Sequence, residues 1–172
     1  GYAKPSQLRL DAARLYVREG DAEAATKLYV RVALSDRARA DEALYYAART
    51  QATLGEPKLA AGYYAEVLRR FPRSRYADEA RYERALNGFS MGRYDVALGW
   101  LRGLLEDPQA QAYRPMIREL SCVVTLRGGH VAKAVDCFRA VVSDYPLHLA
   151  GLFARARLSE QSISVEPRAM PA

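Results

Sequence analysis

Residues that usually carry chemistry are scarce in this 172-residue chain, which has two histidines and two cysteines. His130 follows Gly128-Gly129 and His148 follows Pro146-Leu147, and neither has a Cys, His or carboxylate at metal-ligand spacing. Both read as surface or helix-cap residues, and no metal is expected. A phosphate-binding loop, a dinucleotide fingerprint and a nucleophile elbow are all missing, so neither catalytic residues nor a cofactor are expected. No apolar run approaches the roughly 18 residues that span a bilayer, which excludes an integral membrane helix. Lysine is rare, four against 22 arginines, so the net charge of +6 is almost wholly arginine. Those arginines are scattered among Asp and Glu. That makes a solvated mixed surface and not the basic stripe of a nucleic-acid binder. The opening Gly1-Tyr2-Ala3-Lys4-Pro5 lacks a secretory leader's charged-then-apolar layout. A trimmed mature protein or a fragment would begin the same way.

What remains is a helix-favouring mixture, 50% apolar and 27% charged, with no strand-period alternation. Its organising feature is a repeat. Gly20, Gly55, Gly92 and Gly129 are separated by 35, 37 and 37 residues. Five residues after each stands alanine: Ala25, Ala60, Ala97 and Ala134. Four further on comes a large residue, Tyr29, Tyr64, Leu101 or Phe138, and three beyond that Val32, Val67, Leu104 or Val141. Seven residues before each glycine is a small side chain: Ala13, Ala48, Ala85 and Cys122.

Small residues on facing helices let two backbones approach, and the glycine supplies the positive φ that turns the chain back. The large residues share one face of the second helix. A proline stop follows in Phe71-Pro72, Asp107-Pro108 and Tyr145-Pro146. Helices are predicted at about 6–19, 21–35, 39–54, 57–70, 75–91, 94–106, 111–127, 130–144 and 148–161. In the last, Ala156 is assigned to the small column. The expected fold is all-α: a right-handed superhelical solenoid of about four helix hairpins plus a C-terminal capping helix. Its expected divisions are a lead at 1–5, repeats at about 6–38, 39–74, 75–110 and 111–147, a cap at 148–161, and a disordered tail or linker at 162–172. The carboxylate pairs Asp41-Glu42 and Asp78-Glu79 are expected to begin helices, complementing the macrodipole and capping amides.

These columns resemble the tetratricopeptide repeat, best preserved in Gly55–Pro72 and Gly129–Pro146. Departures are the missing Trp of the first helix, its Tyr retained only as Tyr16, and repeats longer than the usual 34 residues. The segment Phe71-Pro-Arg-Ser-Arg-Tyr-Ala-Asp-Glu-Ala80 resembles the inter-repeat signature of bacterial cell-envelope members, the outer-membrane assembly lipoproteins and the Tol-associated coordinator. Tyr145–Leu158 is similar to the superhelical domain of soluble lytic transglycosylases, without their catalytic module. The resemblance implies a non-catalytic scaffold or adaptor of a cell-envelope complex, periplasmic or envelope-associated. The alternatives are an accessory domain of a transglycosylase-like protein and a cytoplasmic regulatory adaptor.

The family's groove positions, carried over residue by residue, fall on Leu10, Arg14, Val17 and Arg18, then on Tyr45, Tyr46, Arg49 and Thr53. They continue through Tyr82, Glu83, Leu86 and Phe89 to Glu119, Leu120, Val123 and Arg127, and end at Phe153 and Arg157. The core of the implied partner-binding groove is Arg14, Arg18, Tyr45, Tyr46, Arg49, Tyr82, Phe89 and Arg127. Its Tyr and Arg content suits a protein or peptide partner of acidic character, although each tyrosine could equally be core between repeats. Asn87, the one asparagine, is off the groove positions, which disfavours a carboxylate clamp. Cys122 fills an alanine column and is expected as a buried small hydrophobe facing Ala134, so a bridge to Cys137 is not expected.

Overall fold

Four glycines turn the chain where the repeat puts them: Gly20, Gly55, Gly92 and Gly129 have φ of 84°, 77°, 70° and 85°. An L side chain is strained in this left-handed region, so the glycine column follows from backbone geometry. The computed structural model describes residues 5–160; the expected tail at 162–172 and most of the lead lie outside the described residues. Within them the α-helices are α1 (Pro5–Glu19), α2 (Ala22–Ser35), α3 (Ala40–Thr53), α4 (Pro57–Arg70), α5 (Ala77–Ser90), α6 (Tyr94–Glu106), α7 (Arg114–Arg127), α8 (Val131–Asp144) and α9 (Leu149–Glu160). Short 3-10 turns occupy Arg37–Arg39 and Pro108–Tyr113, the second replacing the expected first turn of α7. No strand occurs among the described residues. The fold is all-α, an array of helical hairpins of the solenoid class.

Every column is buried. Ala13, Ala48, Ala85 and Cys122 are 0% exposed, as are Ala25, Ala60, Ala97 and Ala134. Tyr29, Tyr64, Leu101 and Phe138 fill the space between, none above 1%. Each such side chain contributes about 1.5–3 kcal/mol on removal from water. The helices form two compact units, Gly1–Met91 and Gly92–Ala172, divided in the turn after α5.

In the first unit α1 packs on α2, α2 on α3, α3 on α4 and α4 on α5. Asp21 caps α2 by accepting from the Ala24 amide at 2.9 Å, and Pro57 opens α4, where its missing N–H costs nothing. The segment before α5 is a latch. Ser74 Oγ donates to Asp41 Oδ2 at 2.6 Å and accepts from the Tyr76 amide at 3.0 Å. One hydroxyl thus ends the turn and ties it to the start of α3. The acidic pairs do sit in the first turns of α3 and α5, but neither helix has a side-chain cap. Asp41 is taken by Ser74, Glu42 by arginines and Asp78 by Arg81. The capping half of that expectation is corrected.

In the second unit α7 packs on α6, α8 and α9. Two expectations are overturned here. Cys122 and Cys137 form a disulfide, with S–S 2.02 Å and Cα–Cα 5.4 Å. Cys137 stands three residues after Ala134 on α8, on the same helix face one turn along, so facing α7 brings both residues to Cys122. In α9 the buried small residues are Ala150, Gly151 and Ala154, while Ala156 is exposed. Counted from the proline stop, Ala154 lies nine residues after Tyr145, as buried Ala80 lies nine after Phe71, while the small-column position of Ala85 falls on the exposed Ser159. His148 caps α9, its Nδ1 accepting from the Ala150 amide at 3.1 Å. It stands three residues after Tyr145, as Ser74 stands three after Phe71.

Candidate functional site

In the first unit, tyrosines from α2, α3, α4 and the turn before α5 pack together into a floor. Tyr45 stacks on Tyr76 at 5.1 Å between ring centroids, meets Tyr46 edge-on at 5.4 Å, and lies 6.3 Å from Tyr64. Tyr46 in turn stacks on Tyr29 at 5.9 Å. Offset and edge-on pairs of this kind add about 0.5–1.5 kcal/mol each beyond area burial. Burial drives the Tyr45 hydroxyl pKa up to about 12 against the opposing Arg49 charge, with Glu83, Glu79 and Tyr46 adding to the rise. Burial raises Tyr64 further, and its hydroxyl has no hydrogen-bond partner among the described residues.

Arginines lie above this floor. Arg14 is anchored to Asp11 at 2.9 Å and to Glu42 at 2.6 Å, with its guanidinium 5.4 Å from the Tyr46 ring centroid. Burial opposes its charge, but Glu42, Tyr46, Tyr29 and Asp11 outweigh that and raise its pKa. Arg39 also reaches Glu42, at 3.3 Å, so one buried carboxylate on α3 receives arginines from α1 and from the turn before α3. Arg49 differs. It is exposed, lies 5.9 Å over the Tyr45 ring, and makes no ion pair within the described residues. With Arg14, Val17, Tyr29, Tyr46, Thr50 and Thr53 it lines a concavity of about 440 Å³ between α1, α2 and α3. A second, of about 420 Å³, lies between the α3–α4 turn and α5, lined by Ala52, Gly55, Pro57, Glu83, Leu86, Asn87 and Ser90. Asn87 therefore reaches the lining, although its amide is spent on the Pro57 carbonyl at 2.7 Å.

Of the sequence-assigned groove residues, Arg14, Val17, Tyr46, Arg49 and Thr53 are brought together at one concavity, and Glu83 and Leu86 at the other. Arg18 is exposed on α1, while Tyr82 and Phe89 are half-buried on α5. Tyr45 is 6% exposed and belongs to the floor, and Leu10 is wholly buried in the core. Arg127 is exposed on α7 in the second unit, where Glu119 is buried and accepts from Arg157 Nε at 3.0 Å. Sequence reading missed Glu42 as the carboxylate that holds Arg14 and Arg39. Its signal was an acid next to the small residues that pack α3. No group of three or more His, Cys, Asp or Glu side chains is clustered for a metal among the described residues, nor is any helix there long and apolar enough to cross a membrane.

Residues 42–74 match the family model described as tetratricopeptide repeat, a segment running from Glu42 to the Ser74 latch. No curated protein matches the sequence. Solved structures match in fold. MamA from Desulfovibrio magneticus is 17% identical with a TM-score of 0.70, over 94% of this chain and 90% of that one. A tetratricopeptide repeat protein from Parabacteroides merdae is 14% identical with a TM-score of 0.73, over 91% of this chain and 60% of that one. YrrB, a TPR protein with an unusual peptide-binding site, is 17% identical with a TM-score of 0.66, over 88% of this chain and 75% of that one. The family model covers one repeat of the chain, and the solved structures share its all-helical fold.

Proposed function

We propose that the chain is a non-catalytic scaffold that holds a peptide segment of a partner protein against the inner surface of α1, α3 and α5. The observation carrying this reading is the concavity in which the exposed Arg49, without an ion pair among the described residues, stands beside the half-buried Tyr46 over a tyrosine floor. Aromatic rings give rigid contact area with polar tips, and a free guanidinium pairs bidentately with a carboxylate. An acidic residue of the partner is seated at Arg49, with Arg18 adding positive charge nearby on α1. The peptide-binding site of YrrB is a precedent for this use of the fold. The test is a photo-crosslinking residue at Thr53, with capture from cells and mass spectrometry, repeated in Tyr46→Ala and Arg49→Ala. Capture should fall at least tenfold in both variants, as for interface hot spots. Equal capture from a crosslinker at the exposed Arg69 on α4 would remove the assignment.

The compartment proposed is the bacterial cell envelope. Its support is the Cys122–Cys137 bridge, because disulfides persist in oxidising compartments and are rare in the cytosol. Thiol labelling of denatured protein taken directly from cells tests it. Two free thiols in that sample would argue for the cytoplasm.

A further inference from the structure

Two of the first unit's concavities, both lined by residues of α3 or its following turn, differ in charge. Arg49 serves the one between α1, α2 and α3, whereas Glu83 is the only charged group among the described residues lining the other. Two other carboxylates of the first unit are paired: Glu42 holds two arginines and Asp78 pairs with Arg81. Glu83 makes no hydrogen bond or ion pair at contact distance among the described residues, although it is half-buried. The attractive charge acting on it is Arg49, which is not in contact and lies over Tyr45. Two opposite charges on neighbouring helices therefore face the same surface and leave each other unpaired. Burying a carboxylate without a partner is costly, and a ligand cation would offset that cost.

We infer that the concavity around Glu83, Asn87 and Ser90 is a subsite for a lysine or arginine side chain of the bound peptide, next to a subsite at Arg49 for an acidic one. This rests on the inner-surface reading above and changes its specificity from acidic to paired acid and base. Neighbouring helix axes are about 8–10 Å apart, and an extended peptide advances about 3.3 Å per residue. The two side chains are then about three residues apart in the ligand. Asn87 and Ser90 give the cation polar neighbours, while Leu86 and Pro57 cover its methylene stem.

The test is selection of a random 12-residue peptide phage library on the full chain, followed by affinities of labelled synthetic winners. Winners should carry Lys or Arg about three residues from Asp or Glu. Glu83→Gln should weaken them about tenfold or more, on the scale of a charged hydrogen bond. Replacing the peptide's base with Glu should weaken binding to the wild type and restore it to Glu83→Lys. Winners that lose affinity in Arg49→Ala yet carry no base, or ignore Glu83→Gln, would overturn the cation subsite and leave the peptide groove standing. Selection yielding no binder sensitive to Tyr46→Ala or Arg49→Ala would overturn both.

Discussion

At Tyr64 a hydroxyl has left water without finding a partner among the described residues, on a ring that is 0% exposed. An unsatisfied buried hydroxyl costs about 1–3 kcal/mol, so removing it should not harm the fold. Tyr64→Phe is expected to gain about 1 kcal/mol. The gain would appear as a higher urea midpoint at unchanged slope, and a loss would reveal a hidden hydrogen bond. Glu83 gives a second residue-scale prediction, with a sign set by linkage. Burial raises its folded-state pKa despite Arg49. The stability from retaining its proton is fully present below the unfolded pKa and is lost as pH rises through the folded value. Glu83→Gln should therefore melt higher than wild type at pH 7. The gap should close as pH falls through the carboxylate range. A gap that stayed constant with pH would mean the carboxylate is not what costs stability.

At the scale of the helix, Gly151 explains how α9 docks. A Cβ there would stand 2.0 Å from the Tyr145 carbonyl oxygen and 2.9 Å from its carbon, both backbone atoms that a rotamer change cannot move. Gly151→Ala should cost about 1–3 kcal/mol through forced displacement. Faster amide exchange in α9, with α2 and α3 unchanged, would check it. Undiminished protection of α9 would show that the turn gives way freely. The elements themselves were legible because four glycines, four alanines and their large partners recur in phase, and one physical need fixes each column. The register of α9 was not, because no turn glycine follows it among the described residues and Ala156 looked as small as Ala154. The Tyr145-Pro146 stop, read beside Phe71-Pro72, would have placed it. The bridge was missed because the column argument paired Cys122 with a single partner, although residues three apart share a helix face. The Arg14–Glu42 pair was hidden for another reason. Arg14 and Glu42 lie 28 residues apart, and which arginine reaches which acid depends on rotamers no repeat encodes.

Across the whole molecule, stability in a helical array is close to a sum of local terms, each unit leaning on its neighbours in sequence. The Cys122–Cys137 bridge closes a loop of 15 residues between α7 and α8, wholly within the Gly92–Ala172 unit. Constraining the unfolded chain over that length is worth about 3 kcal/mol. The whole of it falls on one unit, because residues up to Met91 are as free to unfold with the bridge as without it. Reduction, or the double change Cys122→Ser with Cys137→Ser, should therefore lower protection in α7 and α8 and leave α2 and α3 nearly as slow to exchange as before. Hydrogen exchange followed peptide by peptide on the intact chain, with and without reductant, reads both regions in one sample. A loss confined to α7, α8 and α9 fits a local staple. If α2 and α3 opened by the same free energy, the two units would unfold as one, and the bridge would be holding the entire array.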